Sequence, residues 1–198
     1  LPAMQLEFPG IYWSFEGEKS EQAETIASLQ YLYIIALIII YALLAIPFNS
    51  YIQPIIVMAA IPFGLIGAVW GHVVMGMDVT ILSGFGVVAL TGVVVNDSLV
   101  MVDYVNRKRG IGLSEMESAR QAGLSRFRPI LLTSLTTFAG LTPLLLEKSL
   151  QAKFLVPMGI SLGFGVIFAT VITLILVPAM YLILEDIRTF LFGPEDKL

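Results

Sequence analysis

The chain has 198 residues, of which 57% are hydrophobic and only 13% are charged, and its formal net charge is −4. A soluble domain carries roughly twice that charged fraction, so this balance excludes an ordinary water-soluble protein. Because the chain contains no cysteine, disulfides and thiolate metal sites are excluded as well.

Residues 1–19 are the only part with the character of a soluble segment. MQLEF and IYWSF, separated by Pro9-Gly10, are typical of two short strands. Two strands alone do not form a stable sheet, so we expect them to complete a larger water-exposed domain. The segment lacks the basic residues of a signal peptide, and we expect the chain to begin within a longer protein.

Long intervals with few charged residues follow, and they predict an all-α transmembrane domain over residues 20–187. We predict five membrane-spanning helices at about 25–46, 54–75, 79–106, 129–146 and 154–184, and a tail over 188–198. Prolines mark their boundaries. Pro47 is expected to end the first span, Pro54 and Pro129 to lie in first helical turns, and Pro62 to kink the second span.

The connector between the third and fourth spans has its own pattern. Ser114 and Glu117 form a capping box, and Gly123 suits the position after a helix C-terminus. We therefore predict a short helix at about 114–123 that lies on the membrane surface.

The same connector carries more than half of the eleven Lys and Arg residues of the chain. These are Arg107, Lys108, Arg109, Arg120, Arg126 and Arg128. Short basic loops stay in the cytoplasm, which predicts an outer N-terminus and an inner C-terminus for a chain with five spans. The cluster can act as this topology signal alone, or it can also bind anionic lipid.

Asn96 and Asp97 interrupt the apolar stretch GVVVNDSLVMVDYV, residues 92–105. An ionised carboxylate at the centre of a bilayer costs about 2.5 kcal/mol or more, so Asp97 must face protein or water, or be protonated. A carboxyl group in such surroundings can take up and release protons. Alternatively, both side chains hydrogen-bond neighbouring helices, or Asp97 stays neutral throughout. Asp103 is nearer the interface and is expected to be solvated.

The fourth span, which follows RFRP, is rich in hydroxyl groups. Four residues recur at helical spacing and share one face: Arg126, Thr133, Thr137 and Gly140. We predict that this face packs on the third span and offers hydroxyls to Asn96 and Asp97. Hydroxyls can instead bond to their own helix backbone, an interpretation favoured for Ser134 and Thr136 and left open for Thr133.

Small residues predict where helices approach each other closely. Gly67 and Gly71 are separated by three residues, as are Gly159 and Gly163, a spacing that lets two helix backbones come together. His72, the only histidine, lies near the outer end of the second span and is predicted at the membrane interface rather than in a proton relay.

These motifs resemble a known family. GVVVNDSLVMVDYVNRKRG, RFRPILLTSLTTFAGLTPLLL and VPMGISLGFGVIFATVITLILVPAMYL are similar to the C-terminal membrane half of resistance–nodulation–division (RND) efflux pumps. The resemblance implies the last five of twelve transmembrane helices, with residues 1–19 closing the last periplasmic porter subdomain. It also implies a homotrimer in the bacterial inner membrane that works with a periplasmic adaptor and an outer-membrane channel. The N-terminus of the chain is then periplasmic and the C-terminus cytoplasmic.

The resemblance further implies a proton relay. In drug-efflux members it comprises two Asp on an earlier helix, a Lys on the equivalent of the third span, and a Thr and an Arg on the equivalent of the fourth. The Thr falls on Thr133 and the Arg on Arg126, but the Lys position falls on Asn96. This sequence therefore departs from the pattern, and Asp97 is expected to reorganise the relay or supply its own carboxylate.

We predict part of a proton-driven RND exporter of drugs or amphiphiles, which is a secondary antiporter and not an enzyme. A related membrane component that assists protein or lipid translocation is the alternative, and a passive helical scaffold is a third interpretation. The sequence shows no catalytic constellation, nucleotide-binding loop or metal-ligand cluster, so we predict no cofactor, metal or nucleic-acid ligand.

Overall fold

The computed structural model describes residues 17–192. All regular secondary structure in this range is helical: α1 Glu18–Phe48, α2 Gln53–Met58, α3 Ile61–Met75, α4 Ile81–Gly110, α5 Glu115–Leu146 and α6 Leu150–Phe192. With α2 and α3 taken together, these elements give five segments long and apolar enough to cross a membrane. The predicted all-α fold with five spans is confirmed for the described range, and the strands predicted in residues 1–19 lie outside it.

The end of α1 is set by an asparagine and not by the proline. Asn49 has a left-handed backbone conformation, with φ of 45°, and its N–H donates to the carbonyl of Ile46. This is a common way to terminate a helix. Pro47 therefore lies inside the last turn, and the prediction that it ends the span is wrong, since the helix continues to Phe48.

The second span is broken where a kink was predicted. Ala59 and Ala60 form a turn between α2 and α3. Pro62 then lies in the first turn of α3, where its missing N–H group leaves no hydrogen bond unmade. Pro54 has the same position in α2, as predicted.

The predicted surface helix at 114–123 is not a separate element. Ser114 does cap the helix, because its side chain accepts a hydrogen bond from the N–H of Glu117, but α5 continues through Gly123 and Pro129 to Leu146. The physical reason is packing. Ala119 and Ala122 are buried to 1% and 0% exposure, so this segment is held against the rest of the protein. Its position at a membrane surface stays a prediction.

α6 lies at the centre of the bundle. It packs more extensively than any other described helix, against α3, α4 and α5. Towards the C-terminal end of α4, a large apolar cluster joins Met101, Val105, Ile130 and Val177. A second cluster joins the middle of α4 to α6 through Leu90, Val94 and Val166. These contacts fix the face of α4 on which Asp97 lies.

Glycines let α3 approach α6 closely. A Cβ atom added at Gly67 would lie 2.4 Å from the Cβ of Phe168, and one added at Gly71 would lie 2.5 Å from the Cβ of Phe164. Both distances are far below van der Waals contact. The α3–α6 contact is therefore built on the absence of side chains at these two positions.

Gly159 and Gly163 have less demanding surroundings. Each faces α5, and an added Cβ would meet the ends of flexible side chains at 3.1 Å from Leu144 and 3.2 Å from Phe138. Gly86 was not selected from the sequence, yet a Cβ there would lie 2.4 Å from the carbonyl oxygen of Met158. A close approach of α4 to α6 is therefore built on a glycine outside the predicted spacing pattern.

Candidate functional site

Asp97 lies on the packed face of α4. The buried residues of this helix recur every three or four positions, and they include Leu90, Val94, Asp97, Met101 and Val105. Asp97 is 7% exposed. Because α4 packs mainly on α6, then on α5 and on α3, this buried position is shielded by the bundle.

The carboxyl group of Asp97 has unusual surroundings for an ionisable group. The ion pairs within residues 17–192 are formed by other carboxylates, such as Asp103 with Arg107 and Glu117 with Arg120. The adjacent Ser98 is fully buried, and its hydroxyl has no hydrogen-bond partner there. A buried charge without compensation is costly, so this site favours the neutral acid or a partner supplied from elsewhere in the protein.

Asn96, about 100° around the helix from Asp97, lies on an exposed side of α4. Gly92, one turn earlier, is also exposed, and a Cβ added there would meet no atom within 4 Å. Neighbouring positions in the sequence are thus divided between two faces of the helix: Asp97 points inward and Asn96 outward.

Thr133 is exposed on α5, and its hydroxyl donates to the carbonyl of Pro129 in the same helix. Thr136 and Ser134 also bond to their own helix, as the sequence favoured. Ser134 makes a further hydrogen bond to Thr170 of α6, so the buried hydroxyl of this span joins α5 to α6 and not to α4.

Arg126 is held against an aromatic ring. The Cζ atom of its guanidinium lies 5.2 Å from the centroid of the Tyr104 ring, which is a cation–π distance. Tyr104 lies seven positions after Asp97, about 10 Å along an α-helix. No hydrogen bond or ion pair in the described range joins any two of Asp97, Asn96, Thr133 and Arg126. The structure therefore does not assemble the predicted relay from this chain alone.

His72 is buried within the protein, near the end of α3. It is 3% exposed, and its Nδ1 atom lies 2.9 Å from the carbonyl oxygen of Ala68. Its Nε2 atom lies 2.8 Å from Oγ of Ser83, which also accepts the N–H of Thr80. Nδ1 is the donor of the first bond, because a carbonyl oxygen only accepts. The two bonds tie the end of α3 to the start of α4, beside a cavity of about 910 Å³ that also borders α1.

A polar network at the other end of α4 was missed in the sequence. The amides of Gln53 and Asn106 bond to each other reciprocally, at 3.1 and 2.8 Å. Tyr181 of α6 donates to the same Asn106 oxygen, and Arg109 donates to the Tyr181 hydroxyl. The amides stand out as polar side chains at the ends of apolar segments, but no local pattern pairs positions so far apart.

Comparison with known proteins shows which family has this architecture. The model of the AcrB/AcrD/AcrF family matches residues 3–185. The chain therefore belongs to this family of RND transporters, and the resemblance found in the sequence is confirmed. The fold is also shared with solved structures of a heavy metal efflux pump in two crystal forms.

Those two structures have TM-scores of 0.77 and 0.75, and each is 26% identical in sequence to this chain. They match 92% and 93% of this chain. The chain spans only 18% of the length of each pump.

Proposed function

We propose that this chain is the part of a proton-driven exporter that supplies helices to the proton pathway, with Asp97 as a proton-carrying group. The observation that carries the proposal is the placement of Asp97. A carboxyl group is buried within a membrane helix, on a face that packs on other helices, and buried membrane carboxylates mark proton relays and ion pathways. Membership of the RND family adds the expectation that the whole protein is a secondary transporter.

The outer faces of α4 and α5 support the rest of the pathway. Asn96 and Gly92 are exposed on α4, and Thr133 and Gly140 are exposed on α5. Polar and small residues of this kind are typical of contacts between membrane helices. We propose that these faces meet further helices of the whole transporter, which bring acidic partners towards Asn96 and Thr133.

Arg126 takes a different place in this scheme from the one implied by the resemblance. Its guanidinium lies near Tyr104, towards the basic end of α4, where the positive-inside rule predicts the cytoplasm. We propose that it acts at the cytoplasmic end of the pathway, where a fixed positive charge favours ionisation of groups that release protons.

Two substrate classes compete for the whole transporter. We favour drug-like or amphiphilic compounds, as the sequence motifs do. The similar structures are described as a heavy metal efflux pump, which makes heavy metal cations the second candidate. In residues 17–192 no three His, Cys, Asp or Glu side chains come together as a metal site, so a metal route through this chain would need other ligands.

The test uses the full-length transporter in a strain without other efflux pumps. Asp97→Asn is expected to abolish export and Thr133→Ala to reduce it about tenfold, because each change removes a group that we place in the proton pathway. Accumulation of a fluorescent amphiphile and resistance to metal salts are measured in parallel, and matched immunoblots report protein amounts.

Asp103→Asn is the matched control, since it removes a carboxylate from the same helix at a partly exposed position that is paired with Arg107. We expect its export to be near that of the wild type. Unchanged export in both Asp97→Asn and Thr133→Ala, at normal protein amounts, would refute the relay and leave a helical scaffold.

A further inference from the structure

The junction of α4 and α5 holds positive charge without a matching carboxylate. Asp103 pairs with Arg107, Glu115 with Arg109 and Glu117 with Arg120, each at 2.9 Å. Among the described residues, these pairs leave three basic side chains of the junction without an ion pair: Lys108, Arg126 and Arg128. The uncompensated charge is therefore confined to particular residues and is not spread over the whole surface.

Two of these cations converge on one aromatic ring. The Nζ atom of Lys108 lies 5.5 Å from the centroid of the Tyr104 ring, and Cζ of Arg126 lies 5.2 Å from it. Lys108 comes from α4, one turn after Tyr104, and Arg126 comes from α5. The Tyr104 hydroxyl is 3.0 Å from the hydroxyl of Ser125, which fixes the ring between the two helices.

The guanidinium of Arg126 also has unused hydrogen-bonding capacity. Its Nε atom is buried and has no hydrogen-bond partner in the described range. Two like charges held near one ring repel each other, and the ring offsets only part of that repulsion. An anion with several acceptor oxygens would compensate both charges, and phosphate is a group that Arg and Lys side chains bind in this way.

We propose that Lys108, Arg126 and Tyr104 form a binding site for a phosphate group, and that the phosphodiester of an anionic lipid is its ligand. The site lies just beyond the apolar part of α4, at the level where lipid headgroups meet a basic end of a membrane protein. The site shares Arg126 with the proposed proton pathway, whereas Lys108 and Tyr104 have no part in that pathway, so variants at these two residues test the phosphate site separately.

The probes are dioleoyl phosphatidylglycerol, dioleoyl phosphatidylcholine and inorganic phosphate. The full-length transporter is purified in detergent and stripped of lipid. Lipid binding is measured by native mass spectrometry, and phosphate binding by calorimetry. We expect Lys108→Gln to bind phosphatidylglycerol about fivefold more weakly, as loss of one cation near a headgroup predicts, with no change for phosphatidylcholine.

Three further variants separate this site from general attraction. Lys108→Arg keeps the charge and is expected to keep the affinity. Arg120→Gln removes a cation of the same loop that is already paired with Glu117, and it is expected to bind like the wild type. Tyr104→Leu removes the ring that both cations contact, and it is expected to weaken binding as Lys108→Gln does. It therefore provides the same test if Lys108→Gln does not fold.

The two ligand sources give different results. If Lys108→Gln weakens phosphatidylglycerol binding and inorganic phosphate does not bind measurably, the ligand of the site is the lipid headgroup. Binding of inorganic phosphate that Lys108→Gln weakens, with lipid binding unchanged, supports the site but assigns it to a free anion. The proposal is overturned if neither probe responds to Lys108→Gln or Tyr104→Leu, or if Arg120→Gln weakens binding equally.

Discussion

The outward faces of α1 and α5 are built from different residues. In the most apolar window of α1, only 6% of residues are buried inside the structure, and for α5 the share is 17%. Both helices therefore present most of their surface outward. On α1 that surface is made of large apolar side chains, including Tyr31, Leu32, Ile38 and Leu43. On α5, leucines are interspersed with small or hydroxyl-bearing residues: Thr133, Thr136, Ala139 and Gly140.

This difference separates two kinds of exposed surface. Large aliphatic side chains suit contact with lipid chains, whereas small residues and hydroxyls suit close contact with another helix. Exposed side chains of this chain thus indicate contact with lipid on one surface and contact with protein on another. We interpret α1 as a lipid-facing helix and the outer side of α5 as a surface completed by protein, which agrees with the proposed pathway along α4 and α5.

The largest difference between the two surfaces is expected when a small residue is enlarged on each of them in turn. Ala139 of α5 and Ala42 of α1 are both exposed, so the same change can be made at both. Ala139→Leu in the full-length transporter should lower export about tenfold or more, because a bulkier side chain holds a neighbouring helix away. Ala42→Leu should leave export unchanged, since lipid adapts to it. Equal effects in the two variants would remove the distinction between the surfaces.

Inside the bundle, glycines provide a second comparison. Gly71→Ala places a Cβ at 2.5 Å from the root of the Phe164 side chain, whereas Gly163→Ala meets only the ring edge of Phe138 at 3.2 Å. Overpacking of this kind costs about 1–3 kcal/mol. We expect thermal unfolding in detergent to show a clear loss of stability for Gly71→Ala and a smaller one for Gly163→Ala. The reverse order would contradict the described α3–α6 contact.

The smallest effect concerns how α1 is attached. The Tyr33 hydroxyl lies 2.9 Å from Oγ1 of Thr91 in α4, and hydrogen bonds between membrane helices contribute about 0.6 kcal/mol on average. Tyr33→Phe should therefore speed hydrogen exchange in α1 slightly. Tyr31→Phe is the control, because Tyr31 is 67% exposed. An identical exchange rate in both variants would show that this bond does not hold α1.

Much of the architecture follows from local patterns in the sequence. Apolar length predicts the five spans, and the position of an acidic residue within an apolar stretch is enough to single out Asp97. The continuity of α5 could not be predicted in the same way. Gly123 and Pro129 are breaking signals, and they are overridden because Ala119 and Ala122 are buried in contacts with other helices.

Contacts between distant positions explain most of the other differences. The bond from Gln53 to Asn106, and the approach of Gly86 to Met158, depend on how helices align with one another. Nothing in either local segment encodes that alignment. For the same reason, helical spacing placed Thr133 and Arg126 on one face but could not show that Arg126 is held by Tyr104, away from Asp97.

The central claim is that the buried acid of α4 exchanges protons during transport. Infrared difference spectroscopy on the full-length transporter in membranes measures this directly, with Asp97→Asn used to assign the carboxyl band. We predict a carbonyl stretching band of the neutral acid that disappears as the pH is raised from mildly acidic to mildly alkaline, and that is missing in the variant. A band assigned to Asp97 that stays constant over that range, or no such band at any pH, would contradict the account.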